Sequence, residues 1–413
     1  MSLIDRIPPR SGPARFAEWR EAAEKVAERL RADAAERDIA GANPVAEIEL
    51  LRGSGLLTIH LPEELGGGGA SFEQVLRIVR ILATGDSSIA QIAAYHFLAT
   101  RAGLDGGNRA LAERRAKGFV EEGWFAASVA QAAYEPLVLA SPDGDGFRLT
   151  GTKPFTSGAA VADTLIVWVR FAEGSVIDGT DMSGLVGQFA IRSPADGIVF
   201  GDDWDNIGQR LTVSGSTTLR DVRVTADDLL DYGHPDTPLS PRQTLQVPQA
   251  QLAFGNLYLG VAIGALDEAL DYTRTRSRPW LTSGVAEATE DPLVVERYGR
   301  LWVQVESAIA LADKAGELVQ AAIDRADELT ADERGRAAVA AYQSKVHSTE
   351  VALEVTSRIF ELTGARSTAR AYGLDRHWRN VRTHTLHDPA HHKLLEIGHF
   401  ALNGRSPQPT YYS

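Results

Sequence analysis

Along the first third of the chain, apolar residues return every third or fourth position against a background of Ala, Glu, Arg and Leu, the period of helices with one buried face. The pattern predicts separate helices over Phe16 to Ala35, Pro44 to Gly53, Ser71 to Thr84, Ser87 to Arg101 and Asn108 to Glu121. Between them, Leu61-Pro-Glu-Glu-Leu-Gly-Gly-Gly-Gly-Ala70 is rich in breakers and reads as a plain turn, because no Gly-Lys-Ser/Thr follows to make it a phosphate loop. At Trp124 the period changes. The runs 147–157, 164–170, 187–192 and 216–224 are β-branched and bounded by Gly, Asp or Pro, as strands are. From about Gln243 the helical period returns over Leu252 to Arg276, Glu296 to Ala326, Asp332 to Thr363 and His391 to Leu402. Helices, then strands, then helices means segregated α and β units, not an alternating parallel sheet. The fold class is α+β and mostly α, with an N-terminal helical domain (1–123), a central β domain (124–235) and a C-terminal helical domain (236–413).

Composition narrows what such a protein does. With 42 basic and 55 acidic residues, the formal charge of −13 disfavours nucleic acid or an anionic membrane as the main partner. There is no cysteine, so thiolate nucleophiles, Cys-ligated zinc and iron–sulfur clusters are excluded. The first ten residues lack the apolar core of a signal peptide, and no apolar run is long enough to span a bilayer, so a soluble, cytoplasmic protein is expected.

The chemistry concentrates near the end. Arg379-Asn-Val-Arg-Thr-His-Thr-Leu-His-Asp-Pro-Ala-His-His-Lys393 holds four of the ten histidines, the side chain suited to proton transfer near neutrality. His384 and His387 are three apart and share a face if the stretch is helical. Read from the residues alone, they are proton-handling groups, a metal pair with Asp388, or capping residues at a helix end. His391 and His392 read as solvated, and His377 and His399 as packed.

Several segments resemble the acyl-CoA dehydrogenase superfamily. Gly151-Thr-Lys-Pro-Phe-Thr-Ser-Gly-Ala-Ala-Val-Ala-Asp163 is similar to its flavin-binding strand, and Leu259 to Trp280 to its long helix ending in a Tyr and Arg motif. The 61–70 loop resembles its Pro, acidic, aromatic, Gly-Gly loop. Within the superfamily the likeness is to the flavin-dependent monooxygenase branch, carried by Ser54 to Pro62, Asp86-Ser-Ser-Ile-Ala90, Asp205-Asn-Ile-Gly-Gln-Arg-Leu-Thr-Val-Ser-Gly-Ser216, Thr275-Arg-Ser-Arg-Pro-Trp280 and Asp375 to Pro389.

That resemblance implies a β-barrel or sandwich in the centre, a C-terminal four-helix bundle and a homotetramer. It also implies a two-component monooxygenase: a separate NAD(P)H-dependent reductase supplies reduced FMN, which adds O₂ as a C4a-hydroperoxide and oxygenates a small heteroatom compound, organosulfur above all. FAD is the alternative cofactor. By resemblance His384, His387, His96 and Asp388 are catalytic, while Ser128, Phe155, Thr156, Ser157, Trp204 and Arg278 bind the flavin, Arg278 through its phosphate. No metal is implied. The rival is an acyl-CoA dehydrogenase with FAD and Asp388 as base. The family's base falls here at Ala250 or at Asp388, the latter one methylene shorter than the usual glutamate and followed by proline. The segment Ser128-Val-Ala-Gln-Ala-Ala-Tyr134 lacks the Gly-Ser-Asp that contacts CoA. The loops Ala133 to Pro142 and Gly174 to Gly184 are expected to shape the substrate pocket.

Overall fold

The computed structural model describes residues 14–104, 108–130, 137–232, 239–410 and 413; within the pocket loop expected at 133–142, residues 133–136 lie outside the described residues. Six helices come first: α1 (Ala14–Ala32), α2 (Ala34–Ala40), α3 (Val45–Gly53), α4 (Phe72–Gly85), α5 (Ser87–Leu104) and α6 (Arg109–Glu121). The expected first helix is interrupted at Asp33, and α2 is a separate short element ending at Gly41, whose φ of 61° suits glycine. A capping box sets the start of α4, Ser71 accepting from the Gln74 backbone N–H and Gln74 returning the bond to Ser71. The glycine loop is a tight turn. A Cβ at Gly67 would lie 2.2 Å from the Leu61 carbonyl oxygen, so the chain doubles back there only because no side chain intervenes.

Among the described residues ten strands follow: β1 (Ala126–Val129), β2 (Val138–Asp143), β3 (Gly146–Lys153), β4 (Thr164–Phe171), β5 (Val176–Ile177), β6 (Thr180–Asp181), β7 (Val186–Arg192), β8 (Ile198–Phe200), β9 (Thr217–Thr225) and β10 (Leu229–Tyr232). Eight make one sheet in the order β10-β7-β4-β2-β3-β9-β8, with β1 added beside β4, and β5 and β6 form a small hairpin. Both β1 and β2 pair with β4 in parallel, Ala126 opposite Thr164 and Val138 opposite Val169. Phe171 meets Phe147 and Phe189 edge-on, and those two meet at a tilt, centroids 5.3–5.9 Å apart.

Five helices close the chain: α7 (Gln246–Arg276), α8 (Pro292–Asp324), α9 (Ala331–Thr363), α10 (Asp375–His384) and α11 (Ala390–Asn403). Between Gln251 and Leu266 the helix α7 is buried all round, packing on α4, α5, α8, α9 and α10. Small residues let it do so: a Cβ at Gly260 would lie 2.3 Å from the Arg80 carbonyl oxygen of α4, and one at Gly255 would lie 3.2 Å from the Cα of Lys345 on α9. The expectation of α8 beginning near Glu296 is too short, since Asp291 caps the helix at the Leu293 N–H with Pro292 in its first position. No helix among the described residues is long and apolar enough to cross a membrane.

Candidate active site

His384 closes α10 and is wedged between α5 and α7. The Tyr95 hydroxyl lies 3.1 Å from its Nε2 and the Tyr258 hydroxyl 2.8 Å from its Nδ1. Tyr258 also donates to the His384 carbonyl oxygen at 3.2 Å, so its oxygen accepts from Nδ1–H and leaves Nε2 to accept from Tyr95. Burial first, and the neighbouring His387 second, hold the ring well below the usual histidine range, so it is neutral. Burial likewise pushes both phenols above their ordinary value.

Beyond α10 the chain turns, and there the His387 ring stacks on His384 with centroids 5.7 Å apart and planes 19° from parallel. Phe254 of α7 meets both rings edge-on at 4.9 and 5.1 Å. The helix thus supplies only His384, while the turn carries His387, yet the two still share a face. Behind His387 stands Asp388, its Oδ1 3.2 Å from Nδ1 and its Oδ2 2.6 Å from Nζ of Lys345. Burial alone would raise the Asp388 carboxyl, but the bonds and charges of His387 and Lys345 outweigh it and hold the group down at about 2.

The sign of that shift makes a pH prediction. A carboxyl whose value is lower in the folded chain contributes stability above its unfolded value near 4, and that contribution is lost as pH falls through about 2. Glu268, buried against His377 and Arg376 and also held at about 2, acts in the same direction. Urea titrations should show stability falling steeply between about pH 4 and 2; a flat stability over that window would contradict the ion pairs as described.

A second polar group lies at the end of β3. Thr156 donates to the Gly215 carbonyl at 2.8 Å and meets the Thr217 hydroxyl at 2.7 Å, and Ser157 meets the Ser214 hydroxyl at 2.6 Å. Ser214 continues to Thr212, and Thr212 donates to the Gln209 carbonyl. Trp204 donates its indole N–H to the same carbonyl at 2.8 Å, and its ring meets Phe155 edge-on. Three non-glycine residues here take left-handed backbone: Phe155 (φ 59°), Gln209 (53°) and the β-branched Val213 (42°). Such conformations cost about 1–3 kcal/mol each and concentrate where ligands are gripped. Gln209 is held in place by Asn380 of α10 and by the Ser87 and Ser88 hydroxyls of α5.

The two groups are joined through α5. Gln91 donates to Ser157 at 3.4 Å, and Tyr95, one helical turn further along α5, reaches His384. The Oε1 of Gln91 is buried without a partner, and Phe155 is 55% exposed. Ser128 sits half-buried on β1, which runs against α5 and the turn at Ala159–Val161. A spare buried acceptor, an exposed aromatic face and a row of hydroxyls are what a flat ring with a hydrogen-bonding edge needs, so these residues fit a flavin.

Two expected site residues stand elsewhere. His96 is fully buried, with Nε2 on the Leu57 carbonyl at 2.8 Å and Nδ1 accepting from the Ala126 N–H at 3.0 Å, stacked on Phe125. Burial drops it to about 4, and with both nitrogens bonded to backbone it braces α5 against β1. It is Tyr95, next in the chain, that faces His384. Arg278 is exposed in a cleft of 620 Å³ shared with Arg276, Arg297, Arg366 and Trp280, apart from the histidines. Of the remaining histidines, His391 and His392 are exposed and His377 is buried beside Glu268, as expected; His399, expected to pack, is exposed instead. Among the described residues no group of three or more His, Cys, Asp or Glu is placed to hold a metal.

Sequence reasoning missed Tyr95, Tyr258, Gln91 and Lys345. Lys345 had a signal: it occupies the inner face of α9 in register with Ala338, Ala341, Tyr342 and Ala352, where a lysine needs a buried partner.

The chain matches the family of acyl-CoA dehydrogenase N-terminal domains over residues 16–122 and that of the C-terminal domains over 252–391. It is 40% identical over 404 residues to a dibenzothiophene monooxygenase of Mycolicibacterium goodii, covering 95% of each chain. It is 38% identical to a probable FMNH₂-dependent monooxygenase, SfnC, of Pseudomonas putida, covering 95% of this chain and 96% of the relative. Among solved structures, FMN-bound TdsC from Paenibacillus sp. A11-2 superposes with a TM-score of 0.89 at 37% identity, over 95% of this chain and 99% of that one.

Proposed function

This chain belongs to the flavin-dependent monooxygenase branch of the acyl-CoA dehydrogenase superfamily, and from there we propose that His387, backed by Asp388, is the proton donor for oxygen transfer to sulfur. The protein is an FMN-dependent monooxygenase of organosulfur compounds. Reduced FMN, when bound, supplies the two electrons of FMNH₂ + O₂ + R₂S → FMN + R₂SO + H₂O. The chain's own residues hold the ring, exclude water and deliver the proton that lets the second oxygen leave as water. The observation that carries this reading is that α5 presents Gln91 to Ser157 and, one turn on, Tyr95 to His384, which sets the paired histidines and the hydroxyl group that fits a flavin edge along one helix.

In this reading Ser128, Phe155, Thr156, Ser157 and Trp204 hold the ring system, and Arg278, which stands apart from them in this chain, meets the flavin phosphate of a neighbouring subunit, for which a guanidinium fork is suited. His384 is closed on both sides by phenols and orients Tyr95. The Nδ1 of His387 faces an anionic carboxylate, which leaves Nε2 toward the site. Asp388 is a poor base for a thioester α-proton, since both of its oxygens are engaged and its carboxyl is held at about 2. The protein works in the cytoplasm with a separate NAD(P)H-dependent flavin reductase. The 1–123, 124–235 and 236–413 divisions act as three units, and exposed Leu394, Leu395 and Leu402 on α11, with Leu293 and Val303 on α8, support a homotetramer. Incubation with FMN, NADH, a flavin reductase and dibenzothiophene should yield the sulfoxide. Reduction of bound flavin by an acyl-CoA, with no sulfur oxidation, would contradict the proposal.

A further inference from the structure

We infer that Lys345 is a positioning residue of the oxygen-transfer site: by clamping Asp388 it fixes which nitrogen of His387 faces the reaction and sets the pH at which that ring gives up its proton. This rests on the reading of His387 as donor. Lys345 lies in the middle of α9 and is 1% exposed, and Gly255 lets α7 pack closely on α9 at that point. Its ammonium donates twice to one residue, to Oδ2 of Asp388 at 2.6 Å and to the Asp388 carbonyl at 2.8 Å. The second bond grips the backbone of the turn that carries His387, so the cation holds the ring's anchor as well as its partner.

The carboxylate between Lys345 and His387 only accepts, so His387 Nδ1 carries a proton and Nε2 is the nitrogen left for the site. The charges around the ring come from every neighbouring element. They are Asp388 beside it, Arg382 on α10, Lys345 on α9, and Lys393 with its partner Glu396 on α11, while the titratable ring of His384 on α10 is neutral. Tyr95 of α5 and Tyr258 of α7 are neutral. Lys345 is the cation in direct contact with Asp388. While it neutralises that carboxylate, a proton on His387 adds an unmatched positive charge. Without the charge, protonated His387 becomes the counter-ion of Asp388 and holds its proton to higher pH.

The test compares wild type with Lys345→Met, Lys345→Gln and Lys345→Arg in the full chain. The probe is diethyl pyrocarbonate, with the modification rate of each histidine followed against pH by mass spectrometry; exposed His391 and His392 serve as internal controls. The midpoint for His387 should rise by about one unit in the Met and Gln variants and return toward wild type in Arg, with the pH limb of oxygen transfer moving in step. Lys345→Gln keeps a donor for the Asp388 carbonyl and carries the test if Lys345→Met does not fold. An unmoved His387 midpoint in folded Lys345→Gln overturns the role of Lys345. Full oxygen transfer by His387→Ala overturns instead the reading of His387 on which it stands.

Discussion

Replacing His387 by alanine should lower the rate of oxygen transfer to sulfur by about 10²- to 10⁴-fold, the usual contribution of a positioned proton donor, while FMN still binds and the fold is kept. Reduced flavin should still react with O₂, so electrons appear as hydrogen peroxide in place of sulfoxide, and the ratio of the two products is the measurement that checks it. The effect belongs to His387 more than to His384. His384 has both nitrogens engaged by Tyr95 and Tyr258 and is neutral, so its loss acts by freeing Tyr95, whereas His387 is half-exposed, with one nitrogen on Asp388 and the other unengaged. A His387→Ala enzyme that couples electrons to sulfoxide as well as wild type would remove the ring from the chemistry.

The second large effect is on stability. Asp388→Ala strands the ammonium of Lys345 in the interior with only a backbone carbonyl for company, and breaking one side of a buried pair costs about 3–5 kcal/mol. The pair is shielded enough for that figure to apply, the side chains being 1% and 8% exposed. Urea denaturation should register the full loss for Asp388→Ala and much less for Asp388→Ala combined with Lys345→Met, because the double change leaves no charge unmatched. Additive losses would mean that the two side chains do not depend on each other. The same variant separates the two activities considered from the sequence. A dehydrogenase with Asp388 as base would lose thioester oxidation in this variant.

What the sequence reveals of this protein follows from which forces are local. Helix starts are legible where a cap and a period coincide, as at Ser71 and Thr330. The strands of the centre are legible as β-branched runs, but not that β1 and β2 both run parallel to β4, because strand pairing depends on residues far apart in the chain. The ten-residue α10 is crowded with polar side chains and carries no stripe long enough to announce a helix, although it positions His384. His96 is placed in the site by resemblance, and only the three-dimensional path of Leu57 and Ala126 shows both its nitrogens engaged by backbone. Tyr95 and His384 are 289 residues apart and meet through packing alone.

The account stands or falls on where the oxygen goes. A single turnover with photoreduced FMN, ¹⁸O₂ and dibenzothiophene, analysed by mass spectrometry, measures it directly. The account predicts sulfoxide carrying one ¹⁸O atom from gas, formed by wild type and nearly absent with His387→Ala. Unlabelled sulfoxide, or reoxidised flavin with no sulfoxide at all from wild type, would contradict it.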